Sequence, residues 1–228
     1  GCVPSKALLA AGKSAHNIAG AARFGITSAA PGIDQKAVRQ HVRDVIAAIA
    51  PHDSIERFRA LGVNVILGAA RFTGPREIQV DGQTIRARRF VVATGSSPVV
   101  PAIPGLDGVP YLTNETLFEY DQPMAHLIVI GGGPIGVEMS QAHRRLGVAV
   151  TLIEKTRLLP KDDPELTQVV HDRLVSEGVE VMTGIGVEGV AAEGSGAAVQ
   201  LDNGASVSGS HLLVATGRKA NVEGLNLE

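Results

Sequence analysis

The sequence predicts an α/β protein of two domains, and three observations carry that reading. From Leu127 onward, short apolar runs of strand length alternate with longer segments of helical period. A glycine cluster, Gly131 to Gly136, stands where the first of those runs gives way to a helix. At Val63 the apolar period changes from that of helices to that of strands. With 228 residues, 44% of them hydrophobic, the chain has enough apolar side chain for one or two ordinary cores.

In chain order, Pro4 to Phe24 reads as an alanine-rich helix, with Pro4 in the first turn, Leu8 and Leu9 opening an apolar stripe and Gly25 as a stop. A second helix is expected from Asp34, its N-cap, through Val38, Val42, Val45, Ile46 and Ile49. Val63 to Leu67, Glu77 to Val80 and Phe90 to Ala93 are expected as a three-stranded meander. Pro98, Pro101, Pro104 and Gly105 then make a stiff extended crossing, the expected link between domains. Leu127 to Ile130, Val148 to Ile153 and Val179 to Met182 read as parallel strands, joined by helices from Pro134 to Leu146 and from Pro164 to Glu177. Asp162 and Asp163 beside Lys161 give the second of these helices a polar start. A further meander is expected at Val187 to Val190, Ala198 to Leu201 and Ser206 to Ser208, then a strand from His211 to Ala215.

Gly131-Gly132-Gly133-Pro134-Ile135-Gly136 is a G-x-G-x-x-G that follows an apolar strand and opens a helix. The first glycine permits the tight turn, the second lets a pyrophosphate approach the backbone, and the third allows close packing of helix on strand. Helix N-terminal amides would face the phosphates. Glu154, 18 residues past Gly136 at the end of the next strand, can accept hydrogen bonds from both ribose hydroxyls and would repel a 2′-phosphate. This favours NAD over NADP, although Lys155 and Arg157 stand close by. The second half is therefore read as a Rossmann-like NAD-binding domain.

Net charge is −2 and the basic residues are scattered, so no nucleic-acid surface is expected. No apolar run reaches the roughly 18 residues of a membrane span, and the N-terminus lacks a signal-peptide pattern, so a soluble cytoplasmic protein with no membrane contact is expected. The seven histidines show no metal-ligand spacing. One cysteine forms no internal disulfide, so Cys2 is structural, reactive or separated from its partner. It stands at a helix start, where amides and dipole favour a thiolate.

Gly1-Cys2-Val3-Pro4-Ser5-Lys6-Ala7-Leu8-Leu9 closely resembles the redox helix of the class I pyridine nucleotide-disulfide oxidoreductases, with Cys2 in the place of the second cysteine of Cys-x-x-x-x-Cys. Ala93-Thr94-Gly95-Ser96-Ser97-Pro98 resembles that family's first A-T-G crossing, and Ala215-Thr216-Gly217-Arg218-Lys219-Ala220-Asn221 its second. The resemblance implies a partial FAD-binding domain of helices and three-stranded meander over residues 1–112, and the NAD-binding domain over 113–228, where the chain turns back toward the flavin side.

It further implies electron transfer between NAD(H), FAD and a cysteine pair, with Cys2 as the flavin-proximal thiolate. Lys6 would lie near the flavin, and Glu138, after the glycine loop and Val137, near the nicotinamide and able to pair with Lys6. Ala70, Thr94, Gly95 and Ser96 would touch FAD, and Val187 and Gly217 would approach NAD. The ends, Gly1-Cys2 and Leu227-Glu228, read as those of an internal fragment lacking the family's flavin pyrophosphate loop and its C-terminal interface domain. The complete protein would be a homodimer acting on a small-molecule or protein-bound disulfide or dithiol, while the fragment alone would bind NADH at most. Dihydrolipoamide dehydrogenase is the first expectation, mercuric reductase the second, and a non-catalytic NAD-binding module the alternative of another class.

Overall fold

The computed structural model describes residues Gly1–Leu227. Helix α1 runs Cys2–Ala19 and turns Ala7, Leu8, Gly12 and Ala15 inward, a single helical face; a short 3-10 turn, Ala21–Phe24, and Gly25 at φ 76° end it. Helix α2, Gln35–Ile49, starts as expected at Asp34, whose Oδ1 accepts the amides of Lys36 and Ala37 at 2.9 and 3.0 Å. A short α3, Ile55–Ala60, follows, capped by Ser54.

Strands β1 (Arg71–Gly74), β2 (Glu77–Val80) and β3 (Gln83–Arg86) form an antiparallel meander. Only the middle strand stands where the sequence pattern puts it. Val63–Leu67 and Phe90–Ala93 are not strands, and Val63, Leu67, Val91 and Val92 are exposed. A strand exists by its ladder, and it is the flanking polar segments that pair with β2. The register is set by Asp81-Gly82, both at positive φ (48° and 74°), the two-residue turn that closes Val80 onto Gln83.

After β4 (Ser96–Pro98) and the proline-rich crossing come β5 (His126–Ile130), α4 (Pro134–Arg145), β6 (Ala149–Glu154), α5 (Pro164–Ser176) and β7 (Glu180–Thr183). Strands β8 (Val187–Glu193), β9 (Gly196–Leu201) and β10 (Ser206–Gly209) make the second meander, and β11 (His211–Val214) and β12 (Arg218–Ala220) close the described chain. All pairs in the β11-β5-β6-β7 sheet are parallel, and β12 pairs with β4. Asp163 caps α5 by accepting the Glu165 amide at 2.9 Å.

The parallel sheet is covered on both faces, which is why its strands read as unbroken apolar runs. Leu127, Val129 and Leu152 face Met139 and Ala142 of α4 and Leu8 of α1 in one cluster, while Ile128, Ile130 and Ile153 face Val190, Val199 and Leu201 of the meander in the other. Helix α1 lies on α4 at Gly12, where an added Cβ would stand 3.2 Å from the Ala142 carbonyl oxygen. The carboxylate of Glu177 accepts Arg145 Nε and Nη2 at 2.6 Å each, tying α4 to the end of α5. Burial would raise its pKa, but the Arg145 hydrogen bonds prevail and lower it.

The chain divides into two compact units: Gly1–Ile46 with Pro98–Gly217, and Ala47–Ser97 with the residues from Arg218 onward. Both units are discontinuous, and α1 belongs with the parallel sheet.

Candidate functional site

The turn from β5 into α4 contains four glycines, and the three of the G-x-G-x-x-G pattern differ in what surrounds them. Gly131 sits at φ 113°, and a Cβ there would press on the Ala215 carbonyl and on Thr216 N at 2.9 Å. At Gly136 a Cβ would overlap Gly131 O, so the helix can lie this close to the strand only without a side chain. At Gly133 a Cβ would meet nothing within 4 Å. The middle glycine thus faces open space, where a phosphate can reach backbone. Gly133 is the N-cap of α4 with no side-chain cap, and Pro134 has no amide to offer. The amides of Ile135 and Gly136 precede the first intrahelical bond, Val137 N to Gly133 O at 3.0 Å, and are free for an anion. The residues fit a dinucleotide pyrophosphate.

Glu154 ends β6 beside this loop. Its Oε2 accepts Gly132 N at 2.7 Å, and its Oε1 accepts the amide and hydroxyl of Thr156, each at 2.9 Å. The carboxylate is held facing the glycine loop, with acceptor capacity left on Oε2 for ribose hydroxyls. Thr156 was not singled out by the sequence reading, though a hydroxyl two residues after an acid is a local signal for such a turn. Arg157, which stands close to Glu154 in sequence and could soften the preference for NAD, is engaged in its own turn: its Nη2 donates to Pro160 O and Asp162 O at 2.9 and 2.8 Å, and its Nη1 to Thr167 Oγ1 at 3.1 Å. Val187 begins β8 just after a turn that hydrogen-bonds the end of β6, Ile185 N to Glu154 O at 3.3 Å. Gly217 presents open space at its Cβ position.

One turn into α4, Glu138 Oε1 accepts Lys6 Nζ at 2.7 Å. The close seam at Gly12 and Ala142 brings α1 and α4 into register for this pair. Cys2 opens α1, is exposed, and lies one turn before Lys6 on the same helical side. No acidic side chain stands in the first turn of α1.

The remaining expected residues, Ala70, Thr94, Gly95 and Ser96, lie in the other compact unit. There the two A-T-G segments meet. Thr94 Oγ1 donates to Asn221 O at 2.6 Å, Asn221 N to Gly95 O at 3.0 Å, and Ser97 Oγ to Asn221 Oδ1 at 3.0 Å. Arg218 donates to the hydroxyl and carbonyl of Ser96. Asn221 and Arg218 hold the first crossing in shape, and their place in the second motif was the only sequence signal for it. Among the described residues no group of three His, Cys, Asp or Glu side chains could hold a metal ion, and no helix is long and apolar enough to cross a membrane. A cavity of about 50 Å³ between α2 and residues 117–124 is lined by Leu8, Val38, Val42, Phe118 and Met124; it has room for a few waters and lies apart from the glycine loop.

The parallel sheet, the glycine turn after its first strand, the acid closing the next and the cysteine-lysine helix beside the glycine helix all lie in one compact unit. The model of the pyridine nucleotide-disulphide oxidoreductases matches residues 1–228, and the chain belongs to that family. It is 36% identical over 237 residues to a mercuric reductase of Streptomyces lividans, covering 100% of this chain and 50% of that one. To a dihydrolipoyl dehydrogenase of Thermus scotoductus it is 37% identical over 237 residues, again covering 100% of this chain and 50% of the relative. The crystal structure of LpdA from Mycobacterium tuberculosis superposes with a TM-score of 0.81 at 29% identity, over 99% of this chain and 51% of that one. The chain thus spans about half the length of the relatives it matches.

Proposed function

We propose that this chain supplies the nicotinamide half, part of the flavin half and one redox cysteine of a flavin-dependent oxidoreductase that passes electrons between NAD(H), FAD and a cysteine pair. On this reading residues 1–112 serve the flavin and 113–228 the nicotinamide nucleotide. The observation that carries the proposal is the 2.7 Å Lys6–Glu138 pair, which fastens the helix of Cys2 to the helix of the glycine loop.

The pyrophosphate of NAD would lie on the Ile135 and Gly136 amides over Gly133, and Glu154 would accept its ribose hydroxyls. Bound FAD would supply a two-electron carrier between nicotinamide and disulfide, and Lys6, Ala70, Thr94, Gly95 and Ser96 are the residues that the family resemblance assigns to it. Cys2 stands exposed in the first turn of α1, one helical turn before Lys6. Glu138 directs the Lys6 side chain through their 2.7 Å pair. For nucleotide choice, Glu154 opposes a 2′-phosphate, and the Arg157 guanidinium is engaged with loop carbonyls; NAD is preferred over NADP.

The substrate on this reading is a disulfide or dithiol, dihydrolipoamide first, and the second reading is mercuric ion; the relatives include mercuric reductases as well as a dihydrolipoyl dehydrogenase. The full-length enzyme is proposed as a homodimer in the cytoplasm. In the flavin-loaded full-length protein, Cys2→Ser should abolish NADH-driven turnover of lipoamide or mercuric ion while NADH still reduces the flavin. Unchanged turnover would leave Cys2 inert and favour the non-catalytic module.

A further inference from the structure

We infer that Arg157 is a positioning residue of the nucleotide site, which keeps residues 157–163 folded so that the glycine loop is gripped at Gly132 from both sides. The inference rests on the nucleotide reading of that loop. Gly132 is the variable position of G-x-G-x-x-G, and its peptide groups are held twice: its N–H is donated to Glu154 Oε2 at 2.7 Å, and its carbonyl accepts Leu159 N at 2.9 Å. One grip comes from the last residue of β6 and the other from the segment that follows it. Side chains from both close on the same residue, since a Cβ on Gly132 would stand 2.6 Å from Leu158 Cδ2 and 2.9 Å from Glu154 Cβ.

Leu159 presents that amide only because its backbone is left-handed, at φ 48°, a conformation that costs a branched apolar residue about 1 kcal/mol or more. The surrounding turn must hold it there. Asp162 N donates to Leu159 O at 3.0 Å, and the Arg157 guanidinium sits inside the turn, bonded to Pro160 O, Asp162 O and Thr167 Oγ1 at 2.8–3.1 Å. Thr167 is buried in α5 and anchors the whole segment to that helix. Carbonyl dipoles converging on one point repel each other without a cation at the centre, and a planar fork with several donors can answer them together where a lysine ammonium cannot. The guanidinium therefore acts on NADH through geometry. To meet a 2′-phosphate it would have to leave these partners and release Gly132.

The test compares Arg157→Gln and Arg157→Lys with the unaltered full chain by amide hydrogen exchange and by titration with NADH and NADPH. In both variants the Leu159 and Gly132 amides should exchange roughly tenfold faster, and NADH should bind on the order of tenfold more weakly, with lysine giving no rescue. Affinity for NADPH should fall no further than that for NADH. Val42→Ala, a destabilising change remote from the loop, should leave those two amides and the NADH affinity as they were, which separates positioning from a general loss of stability. The milder Thr167→Val removes one acceptor of the guanidinium and should move Leu159 exchange in the same direction. Wild-type exchange in folded Arg157→Gln or Thr167→Val, or a selective loss of NADPH binding with NADH unchanged, would overturn the inference. Should the unaltered chain bind neither nucleotide while the exchange result holds, the nucleotide reading fails and the positioning of Gly132 stands.

Discussion

Glu154 holds two parts of the site with one carboxylate: it fixes Gly132 through Oε2 and its own turn through Thr156, and it offers its remaining lone pairs to a ribose. Glu154→Ala should therefore weaken NADH binding by about ten- to a hundredfold, the worth of hydrogen bonds to a charged group, while NADPH, relieved of repulsion, binds as well or better; calorimetry of both nucleotides checks this. An NADH affinity that did not move would take Glu154 out of the site. The Lys6–Glu138 pair behaves differently, because its side chains are 61% and 38% exposed. An exposed pair adds under about 1 kcal/mol to stability. Lys6→Met should leave the thermal midpoint nearly unchanged and yet slow disulfide turnover strongly in the flavin-loaded full-length protein. A large fall in midpoint would make the pair structural.

At the scale of elements, the close approach of α4 to β5 depends on Gly136. With Gly131 O in the way, Gly136→Ala must push helix from strand, and the cost of such overpacking, about 1–3 kcal/mol, should appear as a lower unfolding midpoint and a loss of NADH binding together. The strand-helix-strand run around this glycine was legible in the sequence because each piece is local: an apolar run, a glycine turn, a proline opening a helix. The ends of β5, α4, β6, α5 and β7 fall within a residue or two of expectation. The first meander was less legible. Its apolar runs, Val63–Leu67 and Phe90–Ala93, carry the composition of strands but find no ladder, whereas Arg71–Gly74 and Gln83–Arg86 are polar and paired. Apolar composition reports neither burial nor pairing there, since Val63, Leu67, Val91 and Val92 are exposed, whereas the Asp81-Gly82 turn reports the pairing. The pairing of β12 with β4, between segments more than a hundred residues apart, has no local signal beyond the repeated A-T-G motif. Nor can sequence show which way a side chain turns, and Arg157 is the case where that mattered.

Across the whole molecule, three histidines titrate in one direction. Burial lowers the pKa of His143, which donates Nδ1–H to Met139 O at 2.8 Å; burial also lowers that of His211, and that of His16, beside Arg145 and Arg173. Each binds its proton more readily unfolded than folded. Their stabilisation is complete above the ordinary imidazole value of 6.5 and is lost as pH falls from there through the lowered folded values. Unfolding free energy should accordingly fall as pH drops below about 6.5, and His143→Gln should flatten part of that slope in denaturant titrations. The parallel sheet, the glycine turn and Glu154 all belong to one compact unit, so the nucleotide site can be tested on the full chain without flavin. Calorimetric titration of that chain with NADH and then NADPH is the most direct test of the account. It predicts saturable binding of NADH and much weaker binding of NADPH; a folded chain that binds NADPH as tightly as NADH, or neither, would contradict it.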